Sequence, residues 1–585
     1  MNRGDALVAS LLSAGLMALL VPLAPLGVDP HHDGIMLKPA LDVLAGQVLF
    51  RDTFSQYGAL TTYLHVAALW IQPSLLSLRL MTVAAYGISL FFLYAAWRLI
   101  LPRSLTIVAC GLFILFIPGY EKNWLDEYWL LLPWSSVYAM MFQALALYAL
   151  LNVIRDEQAQ RWGVLLGLAC AAVFWCRQPV GVMTAGCVAV IWLALHWTGW
   201  VPSHQSKRFT LTGILGGFFG VHALFLGGIW LSGAGPEWWY QNFIWPRNYA
   251  LGAANSNWHA GLEVFVHPPA VSWLLLLLLA ALIPGLLKRL GVLLSPRSVL
   301  AYYVCLGLAV VWQHERVLSA LALRTGGWTG LLPVVVMLQA LDSIWLGFAS
   351  RPTQKPAEYY LVAAAAAMSL GSLMQYYPVP DPLHIMWAVA PAFGLIIFAL
   401  WRWSGWPVSL VMVVLAAAFL PSAYHRIQSA HKALAQPYVT LVHPRALRGI
   451  KVPPAQAQII DRIVAAVDPI LKLQPGMPSA LIGDDALYLC FSGNLANPLP
   501  YFVTWNGLAD NAANQRRWGH IQNVRPMLFL HKADWVAVGD FYRRARYVPL
   551  LYIDENALEL AVPQEIADAL GVTAYGAPRA RAPTP

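Results

Sequence analysis

"ALVASLLSAGLMALLVPLAPLGVDPHHDG", residues 6–34, sets about twenty apolar residues against an abrupt polar exit at Asp29, His31, His32 and Asp33. An apolar helix of that length crosses ~30 Å of hydrocarbon. The run is too long for the usual core of a signal peptide, and no small-x-small cleavage site precedes Asp29. Residues 6–26 therefore read as a first membrane span, and two acids and two histidines stand where the chain leaves it.

The pattern recurs along the chain. Of 585 residues, 59% are hydrophobic and only 11% charged, against about a quarter charged in ordinary globular proteins. The fold class expected is a polytopic α-helical membrane protein of about thirteen spans. The others fall near 76–98, 104–119, 132–152, 162–177, 180–199, 209–232, 270–287, 298–313, 328–349, 358–375, 384–402 and 407–422. Basic residues punctuate alternate junctions: Arg98 and Arg103, Arg155 and Arg161, Lys207 and Arg208, Lys288 with Arg289 and Arg297, Arg351 with Lys355, and Arg402. They share one face with Arg3, which the positive-inside rule makes cytoplasmic. Asp29–Asp33, the tip at 120–128, the loop 233–269 and the turn at 376–383 then share the outer face.

The net charge of +9 is spread over these junctions. No dense Lys/Arg stripe or aromatic RNA-binding motif appears, so nucleic acid is not an expected partner. Five of the six cysteines lie in or beside apolar runs, and no CxxC pair exists.

Beyond Tyr424 the composition becomes that of a soluble domain. The expected organisation is a transmembrane domain over 1–423, with interfacial helices in its first outer loop (27–73). An outer α/β domain follows over 424–575, then a disordered Pro-rich tail over 576–585. "AQAQIIDRIVAAVDPIL" has helical periodicity, while "SALIGDD" and "DWVAVGD" read as strands. Asp484 and Asp485, after the first of these, suit helix capping.

In the first loop Ile35, Leu37, Leu41, Leu44 and Val48 are spaced for an amphipathic helix lying in the interface plane. "RDTFSQYGAL", residues 51–60, follows, leading into an apolar stretch too irregular for a span. An acid at the end of the first span, such a helix ending in a Gly, an RD-x-F-x-x-YG box and a later Arg-bearing span resemble bacterial GT-C glycosyltransferases. The relatives meant are those that depend on a lipid-phosphate sugar, including protein mannosyltransferases and aminoarabinose transferase. "QYYPVPDPLHIMWAVAP", residues 375–391, and more weakly "IGDDALYLCFSGNLANPLP", residues 482–500, are similar to other parts of them.

The resemblance implies an enzyme of the bacterial inner membrane. It would move a sugar from a polyprenyl-phosphate carrier to a lipid, glycan or protein acceptor on the outer face. The catalytic acid of the first outer loop maps to Asp33, with Asp29 in reserve. Many relatives have Asp-Glu where this chain has Asp33–Gly34, which leaves His31, His32 or Asp29 to take the neighbouring acid's part.

The residues themselves add candidates. A carboxylate partly desolvated at the membrane edge gains basicity and can take a hydroxyl proton, a role that suits Asp33. The leaving phosphate needs cations. Arg177, in "FWCRQPVG", stands at the outer end of the fifth span, where a guanidinium is costly unless it snorkels to headgroups or pairs. Arg316, Lys122 and His384 are further phosphate candidates. Tyr57 of the box, Asp126 and Glu127 in "YEKNWLDEYW", His314 and Asp381 are substrate candidates together with His31 and His32. Interfacial belt and capping roles compete for several of them. A divalent metal ion on His31, His32 and an Asp is a possible cofactor. Adjacent histidines diverge, however, and no third His or Cys has ligand spacing, so no metal ligand set is assigned.

A lipid-linked glycan polymerase or ligase, and a transporter or flippase of a lipid-linked sugar, are the rival readings. Transporters keep ionisable groups near mid-span, often in inverted repeats. Here the acids and histidines gather at one face.

Overall fold

The computed structural model of the chain describes residues 1–116, 120–122, 128–155, 159–197, 204–247, 357–376, 387–404, 407–483, 485–491, 521–531, 545–553 and 558–574, with isolated residues between 283 and 306 and Gly519. Helix α1 (Arg3–Leu20) is prolonged by a 3-10 turn over Val21–Leu23. Two thirteen-residue helices follow, α2 (His32–Leu44) and α3 (Ala59–Ile71). Next come α4 (Leu75–Trp97), α5 (Arg103–Phe116) and an antiparallel hairpin of β1 (Tyr120–Lys122) and β2 (Tyr128–Leu130). The bundle continues with α6 (Ser135–Arg155), α7 (Ala159–Cys176), α8 (Gln178–Trp197) and α9 (His204–Leu231). A short α10 (Gly235–Trp239) runs into a π turn over Tyr240–Ile244. Then come α11 (Ala357–Ser372), α12 (Phe393–Ser404) and α13 (Val408–Ala435).

Among the described residues, six helices are long and apolar enough to cross a membrane: α1, α4, α6, α7, α8 and α9. Each matches a span expected from the sequence to within about six residues. The chain is thus a polytopic helical membrane protein. The spans expected near 270–287, 298–313 and 328–349 lie wholly or mostly outside the described residues, and so do the "DWVAVGD" strand and the tail 576–585.

Small residues set the closest helix contact. The glycines of "GVLLG" on α7 and "GILGG" on α9 let the backbones meet, and a Cβ on Gly167 would lie 2.1 Å from the Ile214 carbonyl oxygen. At the end of the bundle that holds the N-terminus, Asp5 accepts from Arg103 Nε at 2.8 Å, Arg98 Nε at 3.3 Å and the Tyr94 hydroxyl at 3.2 Å. Arg98 and Arg103 therefore share that end with Arg3, and α1 carries the chain about 27 Å to the opposite end, where Asp29 and Asp33 lie.

The C-terminal region begins with β3 (Val439–Thr440), β4 (Lys451–Val452) and α14 (Pro454–Leu473). Ala457, Ile460, Ile463, Val467 and Ile470 give α14 one buried face, as the periodicity predicts. β5 (Ser479–Ile482), in "SALIGDD", leads to a 3-10 helix over Ala486–Phe491. Strands β6 (Met527–His531), β7 (Tyr547–Ile553) and β8 (Leu558–Pro563) precede α15 (Gln564–Leu570). The sheet runs β5-β6-β8-β7, with β5 and β6 parallel and the other pairs antiparallel. The boundary expected at 423/424 falls inside α13, which continues unbroken from the apolar into the polar sequence.

α2 differs from the amphipathic helix that its spacing suggests in one respect: its residues from Asp33 to Asp42 are all buried, on the polar side as well as the apolar one. Helices α3 and α4 cover part of it, and the 3-10 helix Ala486–Phe491 of the C-terminal region packs on it as well. The apolar spacing was real, but a second layer covers the polar side.

Candidate functional site

The polar exit folds on itself. Asp29 Oδ1 accepts the backbone N–H groups of His31 and His32, each at 3.0 Å, and so caps the start of α2. Asp29 Oδ2 lies 3.1 Å from His32 Nδ1, without the alignment of a hydrogen bond. Asp29 is thus occupied in shaping the helix start.

Asp33 is different. One oxygen, Oδ2, accepts from the Asp29 backbone N–H at 2.8 Å and from Arg79 Nη2 at 2.7 Å. The other, Oδ1, is buried and meets no donor among the described residues. Burial holds the Asp33 carboxyl above the usual carboxylate range; Arg79 and the Asp29 N–H pull the other way but do not cancel it. An orphaned buried carboxylate oxygen costs free energy unless something from outside the chain satisfies it.

Arg79, near the start of α4, also donates through Nη1 to the carbonyls of Ala24 at 3.1 Å and Leu26 at 2.8 Å. It therefore pins the end of the first span and the acid together. The C-terminal region grips the same linker from another side. Lys451 exchanges backbone bonds of 2.7 Å with Pro25 and Gly27, Gln456 Nε2 donates to Val28 O at 3.1 Å, and Leu487 N–H to Pro30 O at 3.0 Å.

Gly34 makes the last of these contacts possible. A Cβ at position 34 would lie 2.0 Å from the Leu487 nitrogen and 2.5 Å from the Ala486 carbonyl carbon. The chain has glycine beside the acid because the backbone of the C-terminal region occupies the side chain's place. Gly34→Ala is expected to cost about 1–3 kcal/mol through overpacking and to loosen residues 486–491 from α2. Faster limited proteolysis in that segment, with α1 and α4 still protected, is the readout; an unchanged digestion pattern would count against the fit.

Aromatic rings lead from His32 to the rest of the site. The His31 and His32 rings lie 4.7 Å apart, edge to face; His32 meets Trp134 at 4.8 Å, and Trp134 meets Trp387 at 4.9 Å. Trp134 immediately precedes α6. At the first turn of α6, Ser136 Oγ accepts from Arg177 Nη1. Arg177 directly follows α7, at the end of the bundle where His32 and Asp33 lie. Tyr57 is half-buried near it: burial raises the phenol, and the Arg177 charge opposes that. The structure thus brings Asp33, His32, Tyr57 and Arg177 around the N-terminus of α6.

The RD-x-F-x-x-YG box is mainly a staple. Arg51 and Asp52 pair at 2.9 Å, Asp52 Oδ2 accepts Val48 N–H at 2.9 Å, and Arg51 Nη1 reaches Ser232 O at 3.0 Å. Gln241 bonds Phe50 O at 2.7 Å and Ser55 N–H at 2.9 Å, tying the loop to the π turn. Gly58 N–H bonds Cys176 O at 3.2 Å, which sets Tyr57 beside Arg177.

Arg79 escaped the sequence reading, although a charge inside an apolar span was the available signal. A second omission is the buried trio of Lys38, Asp42 and Thr53. Lys38 Nζ lies 2.6 Å from Asp42 Oδ1, and the Thr53 hydroxyl donates to Asp42 Oδ2. Burial lowers Lys38 and raises Asp42, each partly held by its partner. Their i,i+4 spacing was legible. Their burial was not.

His314, Arg316, Asp126, Glu127, Asp381 and His384 lie outside the described residues, and Lys122 is described only as part of β1. Among the described residues no cluster of three His, Cys, Asp or Glu could hold a metal ion.

No protein-family model and no curated protein matches the chain. Among solved structures it is similar to the oligosaccharyltransferase of Archaeoglobus fulgidus in complex with Zn and sulfate. The identity there is 10% over 96% of this chain and 73% of that one, with a TM-score of 0.48. The same archaeal enzyme, AglB, with an inhibitory peptide and a dolichol-phosphate, gives 10% identity over 96% and 74%, TM-score 0.46. ArnT from Cupriavidus metallidurans bound to undecaprenyl phosphate gives 12% over 96% and 98%, TM-score 0.37. Likenesses this distant leave the chemistry of the present site to its own residues.

Proposed function

We propose that the chain is a GT-C-type glycosyltransferase that moves a sugar from a polyprenyl-phosphate carrier to a lipid, glycan or protein acceptor at the outer face of a bacterial inner membrane. The observation that carries this reading is Asp33: a buried acid just beyond the first span, one oxygen fixed by Arg79 and a backbone N–H, the other without a donor among the described residues. It is supported by the resemblance of the first loop to that family, and by the cation Arg177 across the start of α6 from His32.

In this reading the acceptor hydroxyl gives its proton to Asp33 Oδ1 as its oxygen bonds to the anomeric carbon. The bond from that carbon to the phosphate oxygen breaks, and the phosphate monoester leaves with its charge beside Arg177. Arg316, Lys122 and His384 remain further phosphate candidates, and Tyr57, His31, His32, Asp126, Glu127, His314 and Asp381 substrate candidates. The C-terminal region, over 424–575, belongs to the same outer face in this reading because it grips the linker that carries the acid.

The test is the identity of the released lipid. Membranes containing the full chain, given a polyprenyl-phosphate sugar and an acceptor extract, should yield polyprenyl monophosphate together with glycosylated acceptor. Release of a polyprenyl diphosphate from an oligosaccharide-linked donor would instead identify a polymerase or ligase.

A further inference from the structure

The first turn of α6 holds a buried hydroxyl without a partner among the described residues, that of Ser135. Ser135 and Ser136 are both fully buried. The backbone N–H groups of these two residues open a twenty-one-residue helix and have no acceptor within it, whereas that of Val137 is already satisfied by Trp134 O at 3.0 Å. The positive end of the helix dipole lies here. Arg177 comes from another element and places its guanidinium on Ser136 Oγ. A guanidinium, a free hydroxyl and two helix-start amides in a buried place make a setting for an oxyanion, and each can donate to it.

We propose that the first turn of α6, with the Ser135 hydroxyl and the Arg177 guanidinium held on Ser136, is the seat of a phosphate monoester, the headgroup of a lipid carrier. The lipid source rests on the function proposed above; the phosphate chemistry does not. The position also fits the transfer. Trp134, whose ring touches that of His32 next to Asp33, is only two residues from Ser136, about 7 Å along the backbone. Charge developing on the phosphate would meet the helix start while the proton leaves toward Asp33.

Binding by the full-length chain in detergent tests this apart from sugar transfer, with undecaprenyl phosphate, undecaprenol and inorganic phosphate as probes. The wild type should bind undecaprenyl phosphate at least about tenfold more tightly than undecaprenol, the scale of one charge-assisted interaction. Ser135→Asp puts a carboxylate in the seat and should erase that preference. Ser135→Ala, the milder variant should the first not fold, should lower phosphate-lipid affinity about two- to fivefold and leave undecaprenol unchanged. Val442→Ser, on an exposed residue of the C-terminal region, should change nothing.

Equal binding of undecaprenyl phosphate by the wild type and both Ser135 variants overturns the seat. Inorganic phosphate that binds as tightly as the lipid overturns the lipid source. If the variants lose the preference yet no preparation transfers sugar, the seat stands and the proposed function falls. Transfer by the wild type with unaltered binding in the Ser135 variants has the opposite meaning.

Discussion

Asp33→Asn is expected to lower sugar transfer by about 10²- to 10⁴-fold, the range that a positioned general base contributes. The substitution keeps the shape of the side chain, and its carbonyl oxygen can still accept from Arg79. What it removes is the capacity of Oδ1 to take a proton. It also leaves the Arg79 guanidinium buried without its counter-charge, so some stability is lost as well. Activity must therefore be read at a temperature where the variant remains folded by heat-unfolding measurements. Folded Asp33→Asn that transfers sugar at the wild-type rate would end the catalytic assignment.

The acid's raised pKa sharpens the test, because activity and stability should move in opposite directions with pH. As a base Asp33 works only when ionised, so the rate is present above its folded pKa and falls as pH drops through it. Burial has raised that pKa, so the acid limb of the rate profile should lie above the roughly 3.9 of an unperturbed Asp. For stability the sign reverses. The folded protein binds this proton more tightly than the unfolded chain does. Asp33's contribution is thus complete below the unfolded pKa and is lost as pH rises through the folded one. An acid limb at the ordinary carboxylate position would show that the rate depends on some other group.

Much of this frame could be read from apolar run lengths. A helix that crosses hydrocarbon needs about twenty apolar residues, and the six crossing helices announce themselves that way. The position of Arg177 directly after α7 was legible too, since a lone guanidinium ends that apolar run out of step with the basic pairs at the other junctions. What could not be read was anything decided by distant chain. α2 has the spacing of an interfacial helix, and only the 3-10 helix some 450 residues later shows why its polar side is buried. Gly34 looked like a lost acid, whereas the close approach of Leu487 explains it as a contact that no larger residue allows. Asp29 and Asp33 looked alike in sequence. Hydrogen bonds separate them: Asp29 Oδ1 takes two backbone N–H groups at the helix start, while Asp33 Oδ1 keeps no donor among the described residues. Arg79 was passed over because "LLSLRLMTV" still reads as a span with one charge in it, and its partner lies 46 residues earlier.

Arg79→Leu is expected to be the most destabilising single change at this site, by about 3–5 kcal/mol, because it strands a buried carboxylate instead of deleting a pair. Arg79 and Asp33 are both fully buried and meet at 2.7 Å. Leucine would also abandon the carbonyls of Ala24 and Leu26, which Nη1 satisfies at 3.1 and 2.8 Å. Lysine should not rescue the loss. One ammonium cannot reproduce a planar fork whose two ends serve a carboxylate on α2 and two carbonyls after α1. The cycle with Asp33→Asn separates these causes. If the stranded charge dominates, the double variant Asp33→Asn/Arg79→Leu should be more stable than Arg79→Leu alone, since neutralising Asp33 removes the uncompensated charge. If the lost carbonyl bonds dominate, the double variant should be no better than the worse single one. Equal resistance to heat unfolding in the wild type and Arg79→Leu would mean that the pair does not hold the acid in place. The fixed half of the Asp33 carboxylate, and with it the reason its other oxygen faces a substrate, would then have to come from elsewhere.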